Sequence, residues 1–317
     1  MKDILRTPDE RFNNLIDYNF NPNYWEYQGI RMHYLDEGNG PIILLLHGEP
    51  SWSYIYRKFI PKLVEKGHRV IAPDLIGFGK SDKFTSAKDH TYQFHVDYVT
   101  QFVTELGLSD ITLFIQDWGG LIGLRVCANL PDKFSRIMAS NTGLPFQGGL
   151  KGLIAPYLIR KDIKKLGKVT EEQLTAKMNF PNWVAYCSTI EKLDIGNIIQ
   201  GGSYRELSEE EIAAYNAPYP DETYKVGPRV LPSLVFTQLR KNAKIWNQVF
   251  KNWKKPFIVC FGDHEKITIR YKKLLLDIPG TNHDVNEDIP NASHFCQEDN
   301  VDFILAKLDN LMQLKLD

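Results

Sequence analysis

The chain has 317 residues, 43% of them hydrophobic and 24% charged, the balance of a folded globular protein rather than a disordered one. Its 38 Lys and Arg nearly cancel 39 Asp and Glu, leaving a formal net charge of −1. No global field therefore draws in nucleic acid or an anionic membrane. The length suits a core domain that carries a smaller inserted one. Cys127, Cys187, Cys260 and Cys296 form no CxxC pair and read as buried thiols, not as a disulfide framework or a zinc site. The N-terminal segment lacks an apolar core of signal-peptide length, and no run approaches the ~18 apolar residues of a membrane span. These features predict a reduced, cytoplasmic, soluble protein.

Along the chain, residues 25–38 hold two extended runs around Gln28-Gly29, a hairpin signal. Ile42–Leu46 is a continuous apolar run, as in a strand covered on both faces, and it ends in His47-Gly48-Glu49-Pro50. A helical stretch is expected from Trp52 to Lys66, then a strand at Arg69–Ala72 and a glycine-rich loop at residues 73–81. Residues 93–107 read as an amphipathic helix. The segment 111–120 is a short apolar run followed by Gln116-Asp117-Trp118-Gly119-Gly120, and an apolar stretch at helical spacing follows, closed by Pro131. A strand is expected at Ile137–Ser140. Between residues 146 and 228 strand runs give way to short, charge-rich helical patterns, which predicts an inserted helical cap. Alternation returns with a helix near 234–251, a strand at Pro256–Phe261, the loop Gly262-Asp-His-Glu265, a helix near 269–277, a short strand near 283–289, a loop holding His294, and a helix over 301–314. The prediction is an α/β fold with a mostly parallel sheet: core 1–145, cap 146–228, core 229–317.

Strand, sharp turn and helix around Asp117 form the setting of a nucleophile elbow, with Asp in place of Ser. A carboxylate nucleophile attacks carbon and makes an ester. Asp117, Glu265 and His294 follow the nucleophile, acid, base order of the α/β-hydrolase triad, and each follows an expected strand. His294 would take a proton near neutral pH, and Glu265 would hold the other ring nitrogen. Plainer readings stand beside these. Asp117 could cap a helix, His294 could sit exposed in its loop, and Asp263 could be the acid instead of Glu265. His47-Gly48-Glu49-Pro50 could simply start a helix; functionally, the Glu49 and Trp118 peptide N–H groups would form an oxyanion hole. His33, His68, His90, His95, His264 and His283 read as surface or structural residues.

His47-Gly-Glu-Pro-Ser-Trp-Ser-Tyr-Ile-Tyr-Arg57, Pro73-Asp-Leu-Ile-Gly-Phe-Gly-Lys-Ser-Asp82 and Gln116-Asp-Trp-Gly-Gly120 resemble haloalkane dehalogenases. Phe180-Pro-Asn-Trp183 and Ala217-Pro-Tyr-Pro-Asp221 resemble the subfamily with a tryptophan-based halide site. The resemblance implies an α/β-hydrolase core with an inserted helical cap. It also implies halide displacement by Asp117, an alkyl-enzyme ester, and its hydrolysis by water that His294 activates. The partners it implies are a small halogenated alkane, water and halide, with no cofactor and no metal, and a monomer is expected. The halide donors map onto the indoles of Trp118 and Trp183, though Trp183 could instead anchor the cap. Phe180, Leu121, Pro218 and Phe295 would line the pocket. The sequence departs from the subfamily at Glu265, where Asp is usual, and over 146–175, where the likeness is loose.

Two rivals follow. An epoxide hydrolase would use the same Asp117 with acidic O–H donors, for which Tyr186, Tyr215 and Tyr219 are available. A binding module on this scaffold would keep the pocket without turnover.

Overall fold

The computed structural model describes residues 3–177, 179–282 and 284–315. Its strands are β1 (Ile4–Leu5), β2 (Asn23–Tyr27), β3 (Ile30–Glu37), β4 (Ile42–Leu46), β5 (Arg69–Pro73), β6 (Lys83–Phe84), β7 (Ile111–Gln116), β8 (Phe134–Ser140) and β9 (Phe257–Val259). β1 and β6 form a small antiparallel pair. The other seven make one sheet in the order β2-β3-β5-β4-β7-β8-β9. Gln28 and Gly29 both have positive φ, as a two-residue hairpin turn between β2 and β3 requires. β3 pairs antiparallel with β5, and every further pairing is parallel.

The burial of each strand follows from its place. β2, at the edge, alternates half-buried and exposed residues, whereas all six residues of β7, in the interior, are buried. Because β4, β7, β8 and β9 run parallel, the loops after them open on one edge of the sheet. Those loops begin at His47, Asp117, Asn141 and Cys260.

The helices are α1 (Ile60–Glu65), α2 (Tyr92–Glu105), α3 (Trp118–Asn129), α4 (Gly149–Leu166), α5 (Glu171–Ala176), α6 (Phe180–Thr189), α7 (Ile195–Gly201), α8 (Glu209–Asn216), α9 (Val226–Leu234), α10 (Leu239–Gln248), α11 (Lys272–Leu276), α12 (Cys296–Asp299) and α13 (Val301–Gln313). α3 packs on α2, β4 and β7. α1 and α13 are tied by Lys62–Asp302 and Lys66–Asp309, both at 2.5 Å. From α4 to α10 the described chain is helical with no strand, and α9 runs through residue 228, where the sequence pattern places a boundary.

Three segments differ from the sequence pattern. The helix expected over Trp52–Lys66 is split into a 3₁₀ turn at Ser53–Tyr56 and α1. Asp74 Oδ1 captures the Ser53 N–H at 2.7 Å and fixes the first turn, and Pro61, which has no N–H to give, suits only a helix start. The stretch 234–251 is likewise interrupted: α9 ends at Leu234 and α10 begins at Leu239. No strand is present among the described residues of 283–289, and His283 lies outside them. Thr281 and Ile289 make single bridges to Phe257 and Gly262. Between them, the Asn286 side chain accepts the Val259 N–H at 2.9 Å, so a side chain takes the place of a backbone ladder.

A buried ionic cluster ties the helical layer to the core. Arg57, just after the 3₁₀ turn at Ser53–Tyr56, bonds Glu298 on α12 and Glu211 on α8. Arg205 bonds the same two carboxylates, and Tyr215 donates to Glu298 at 2.5 Å.

Candidate active site

Asp117 sits between β7 and α3 with φ 48° and ψ −123°, a left-handed conformation that non-glycine residues rarely hold. The neighbouring glycines make room for it. A Cβ on Gly119 would lie 1.9 Å from the Leu46 carbonyl oxygen, and one on Gly120 would lie 1.9 Å from Thr142 Oγ1. One on Gly48 would lie 2.5 Å from the Asp117 Cβ. The strained backbone is held from several sides. The Asp117 N–H donates to the Asn141 carbonyl at 3.1 Å, and its own carbonyl accepts from Gly120 N–H and the Thr142 hydroxyl.

The Asp117 side chain does not cap α3. Its Oδ1 accepts the Glu49 N–H at 2.8 Å, and its Oδ2 lies 3.6 Å from His294 Nε2. Trp118 opens α3, so its N–H is among those without an acceptor inside the helix.

His294 is buried, and its Nδ1 lies 2.9 Å from Glu265 Oε2. The other Glu265 oxygen accepts from Ile267 N–H at 2.6 Å, from Thr268 N–H at 2.5 Å and from the Thr268 hydroxyl. Both oxygens are thus engaged, which fixes the carboxylate. Asp263 is turned elsewhere: it bonds His264 at 2.7 Å and accepts from the Asn291 and Ala292 N–H groups, bracing its own loop. The group that contacts His294 is therefore Glu265.

The electrostatics follow from this geometry. Burial acts to lower the His294 pKa, but the charges of Glu265 and Asp117 outweigh it and push the imidazole up to about 10. Burial acts to raise Glu265, but the His294 charge and the bonds from His294, Thr268 and Ile267 hold it below its ordinary value. The Glu49 side chain is buried with no partner for Oε1 among the described residues. Burial first, and then the Asp117 charge, push its carboxyl far up, which favours the uncharged acid.

Residue by residue, the remaining candidates divide between core and helical layer. The buried Trp118 ring meets Tyr92 edge to face at 5.2 Å, and Tyr92 donates to the Leu121 carbonyl at 2.7 Å. Phe295 meets His294 edge-on at 5.0 Å and donates its N–H to the Gly202 carbonyl at the end of α7. Trp183 lies half-buried on α6, stacked on Tyr186 at 6.1 Å. Phe180 starts α6 and meets Phe236 at 5.0 Å. Pro218 is buried, and its carbonyl accepts from Thr7. A cavity of about 320 Å³ lies in the helical layer between α4 and α6, lined by Ile159, Ile163, Val184, Ala185 and Phe236 among others. Among the described residues no group of three or more His, Cys, Asp or Glu is arranged to hold a metal ion.

Residues 41–301 match the family model for the alpha/beta hydrolase fold. A haloalkane dehalogenase of Psychrobacter cryohalolentis is 44% identical over 309 residues, which is 93% of each chain. One from Mycolicibacterium paratuberculosis is 42% identical, over 93% of this chain and 94% of its own. The chain belongs to the haloalkane dehalogenases. The fold agrees: the tetrameric haloalkane dehalogenase DpaA of Paraglaciecola agarilytica superposes with a TM-score of 0.78 at 28% identity, over 99% of this chain and 100% of that one. The protein is thus an enzyme that removes halogen from haloalkanes hydrolytically, with haloalkane as substrate and halide as product. The relative's tetramer stands apart from the monomer expected from the sequence.

Two residues of this dehalogenase's site are not singled out in the sequence analysis. Asn141, at φ 42°, donates from its amide to the carbonyls of Ser293 and His294 and accepts the Gly262 N–H. Its backbone carbonyl holds Asp117. One side chain and its backbone therefore join the loops of nucleophile, acid and base. Gln116 donates to the His294 carbonyl at 3.0 Å. Each carries a signal in the sequence. Gln116 is a polar residue closing an otherwise apolar strand, and Ser140-Asn141-Thr142 is a polar run at the carboxyl end of another.

Proposed function

We propose that Asp117 is the nucleophile. Oδ1 is held by the Glu49 N–H, which leaves Oδ2 to attack the halogen-bearing carbon in line. A carbon–oxygen bond forms, the carbon–halogen bond breaks with its electron pair, and halide leaves the alkyl ester of Asp117. Esterification deletes the Asp117 charge, one of the causes that keep His294 protonated. The imidazole pKa then falls, and His294 gives its proton to solvent and becomes a base as water is needed. Water gives it a proton and adds to Cγ of Asp117, the carbonyl carbon of the side-chain ester. The resulting oxyanion is stabilised by the N–H groups of Glu49 and Trp118. Collapse expels the alkoxide, which takes the proton of the newly formed Asp117 carboxylic acid and leaves as alcohol, so the carboxylate is restored while Glu265 stabilises the imidazolium.

The helical layer acts as a cap over this centre, over residues 146–228, in this reading. Trp118 and Trp183 would donate their indole N–H groups to the departing halide, since an indole is a donor with no acceptor of its own. Leu121, Phe180, Pro218 and Phe295 line the pocket, and short terminal chloro- and bromoalkanes are the substrates. Nucleophile, acid and base come from one chain, so each protomer carries a complete catalytic set, and the buried free cysteines suit a cytoplasmic location.

The observation that supports this reading most is the Asp117 carboxylate, freed from capping, held by a peptide N–H and facing the His294–Glu265 pair. Halide release from 1,2-dibromoethane, 1-bromobutane and 1-chlorobutane, with styrene oxide hydrolysis beside it, tests it. Release that disappears in Asp117→Ala is expected. Epoxide turnover without halide would overturn it.

A further inference from the structure

The overall charge of −1 conceals a local asymmetry on α4. Leu150, Leu153 and Tyr157 are 70%, 59% and 66% exposed, and Ile154 and Leu158 are exposed with them. Their spacing places all five on one side of the helix. Such a contiguous exposed apolar face is uncommon on a monomer and marks a contact surface. One and two turns further on, the same side continues as Lys161 and Lys165, with Lys164 and Arg160 at its border, where they also reach the rim of the cavity beside α6, and Lys168 just past the helix end. Lys151 adds to these at the other end. The single acid in residues 149–168 is Asp162, paired with Lys165 at 3.0 Å. The opposite side of α4 faces inward. Ile159 and Ile163 line the cavity shared with α6, and Gly152 lets the helix close on Arg240 of α10.

We propose that α4 docks the enzyme on an anionic lipid surface. The apolar half enters the boundary between headgroups and acyl chains, Tyr157 sits at headgroup level, and the lysines meet the lipid phosphates. Charge argues against a second copy as the occupant. An antiparallel α4 pair would bring Lys151 of each helix toward the lysine cluster of the other, and a parallel pair would set the two clusters side by side. Nothing in α4 supplies the acids that either arrangement needs. The placement also has a use, which rests on the dehalogenase mechanism proposed above. Haloalkanes dissolve in acyl chains, and a docked α4 would put its apolar inner cavity, beside the helix that carries Trp183, next to that reservoir. The net charge of −1 hides this basic surface because the rest of the chain is acidic enough to offset it.

Flotation of the full-length protein with vesicles tests the proposal without using turnover, so it can fail independently of the mechanism. Binding to phosphatidylcholine–phosphatidylglycerol vesicles is expected, with little binding to phosphatidylcholine alone and weakening as salt rises. Each basic residue near an anionic surface contributes about fivefold, so Lys161→Gln/Lys164→Gln/Lys165→Gln should lose about a hundredfold in partitioning. Leu150→Ser/Leu153→Ser should also lose binding, and thermal melting checks that both variants fold. Absence of flotation, or flotation that neither variant changes, would overturn the proposal. So would self-association in lipid-free sedimentation that Leu150→Ser/Leu153→Ser abolishes, which would assign the face to a second copy.

Discussion

The carboxyl edge of the sheet and the helical layer between β8 and β9 solve opposite problems. At the edge, Asp117, His294 and Glu265 are held by backbone N–H groups, by Asn141 and Gln116, and by glycines that tolerate no Cβ. Little there can shift without breaking several bonds at once. The helical layer is fastened to the core by an ionic cluster, holds a partly open apolar cavity and leaves apolar side chains of α4 in solvent. The contrast separates chemistry, written in the rigid edge, from substrate choice and delivery, written in the layer. Substitutions at the edge should therefore strike kcat, and substitutions in the layer should strike substrate range and stability.

The largest effect should come from the acid. Glu265→Gln keeps the shape but loses the charge on His294, and turnover should fall by roughly 10³–10⁴-fold. Asp263→Asn, which alters only a loop brace, should stay within about a factor of two or three. Steady-state halide release on both variants checks the pair, and full turnover in Glu265→Gln would return the role to Asp263.

The next effect tests the fastening. Glu298 is buried between Arg57, Arg205 and Tyr215, and Glu298→Gln leaves two guanidinium groups short of a counter-charge. A loss of about 3–5 kcal/mol is expected in urea unfolding, since breaking a buried pair strands a charge. A neutral result would show the layer to be held by packing instead.

A third effect is pH-dependent. The folded His294 pKa is raised from 6.5 to about 10, so its contribution to stability is fully present below 6.5. It declines as pH rises and is gone above about 10. Melting temperature against pH should show this alkaline decline in the wild type, and the decline should shrink in His294→Gln.

The smallest effect should lie in the cavity. Val184→Leu fills space between α4 and α6, and it should shift preference among bromoalkanes of different length by roughly 10-fold or less while kcat for the best substrate holds. A fall in kcat across all substrates would erase the division between edge and layer.

The sequence made the edge more legible than the layer, for physical reasons. An interior strand such as β4 or β7 is apolar throughout, and the turn after it must carry glycine where backbones approach closely, so both leave marks in composition. Asp117, His294 and Glu265 stand out because polar residues after such strands have one edge to occupy. Asn141 escaped notice because an amide that joins loops looks like any turn asparagine until the loops are in place. The strand expected near 283–289 failed because a side chain, Asn286, supplied the acceptor that alternation assigns to backbone. The Trp52–Lys66 helix broke because Asp74, distant in sequence, captured the Ser53 N–H. In the helical layer, charge-rich patterns gave helices but not which face stays open, since that depends on what packs beneath.

The most direct test of the two-step mechanism is a single-turnover experiment on His294→Gln with 1,2-dibromoethane. The mechanism predicts about one halide per enzyme and an alkyl ester on the peptide that contains Asp117, seen by mass spectrometry. Sustained halide release, or an unmodified Asp117 peptide after release, would contradict it.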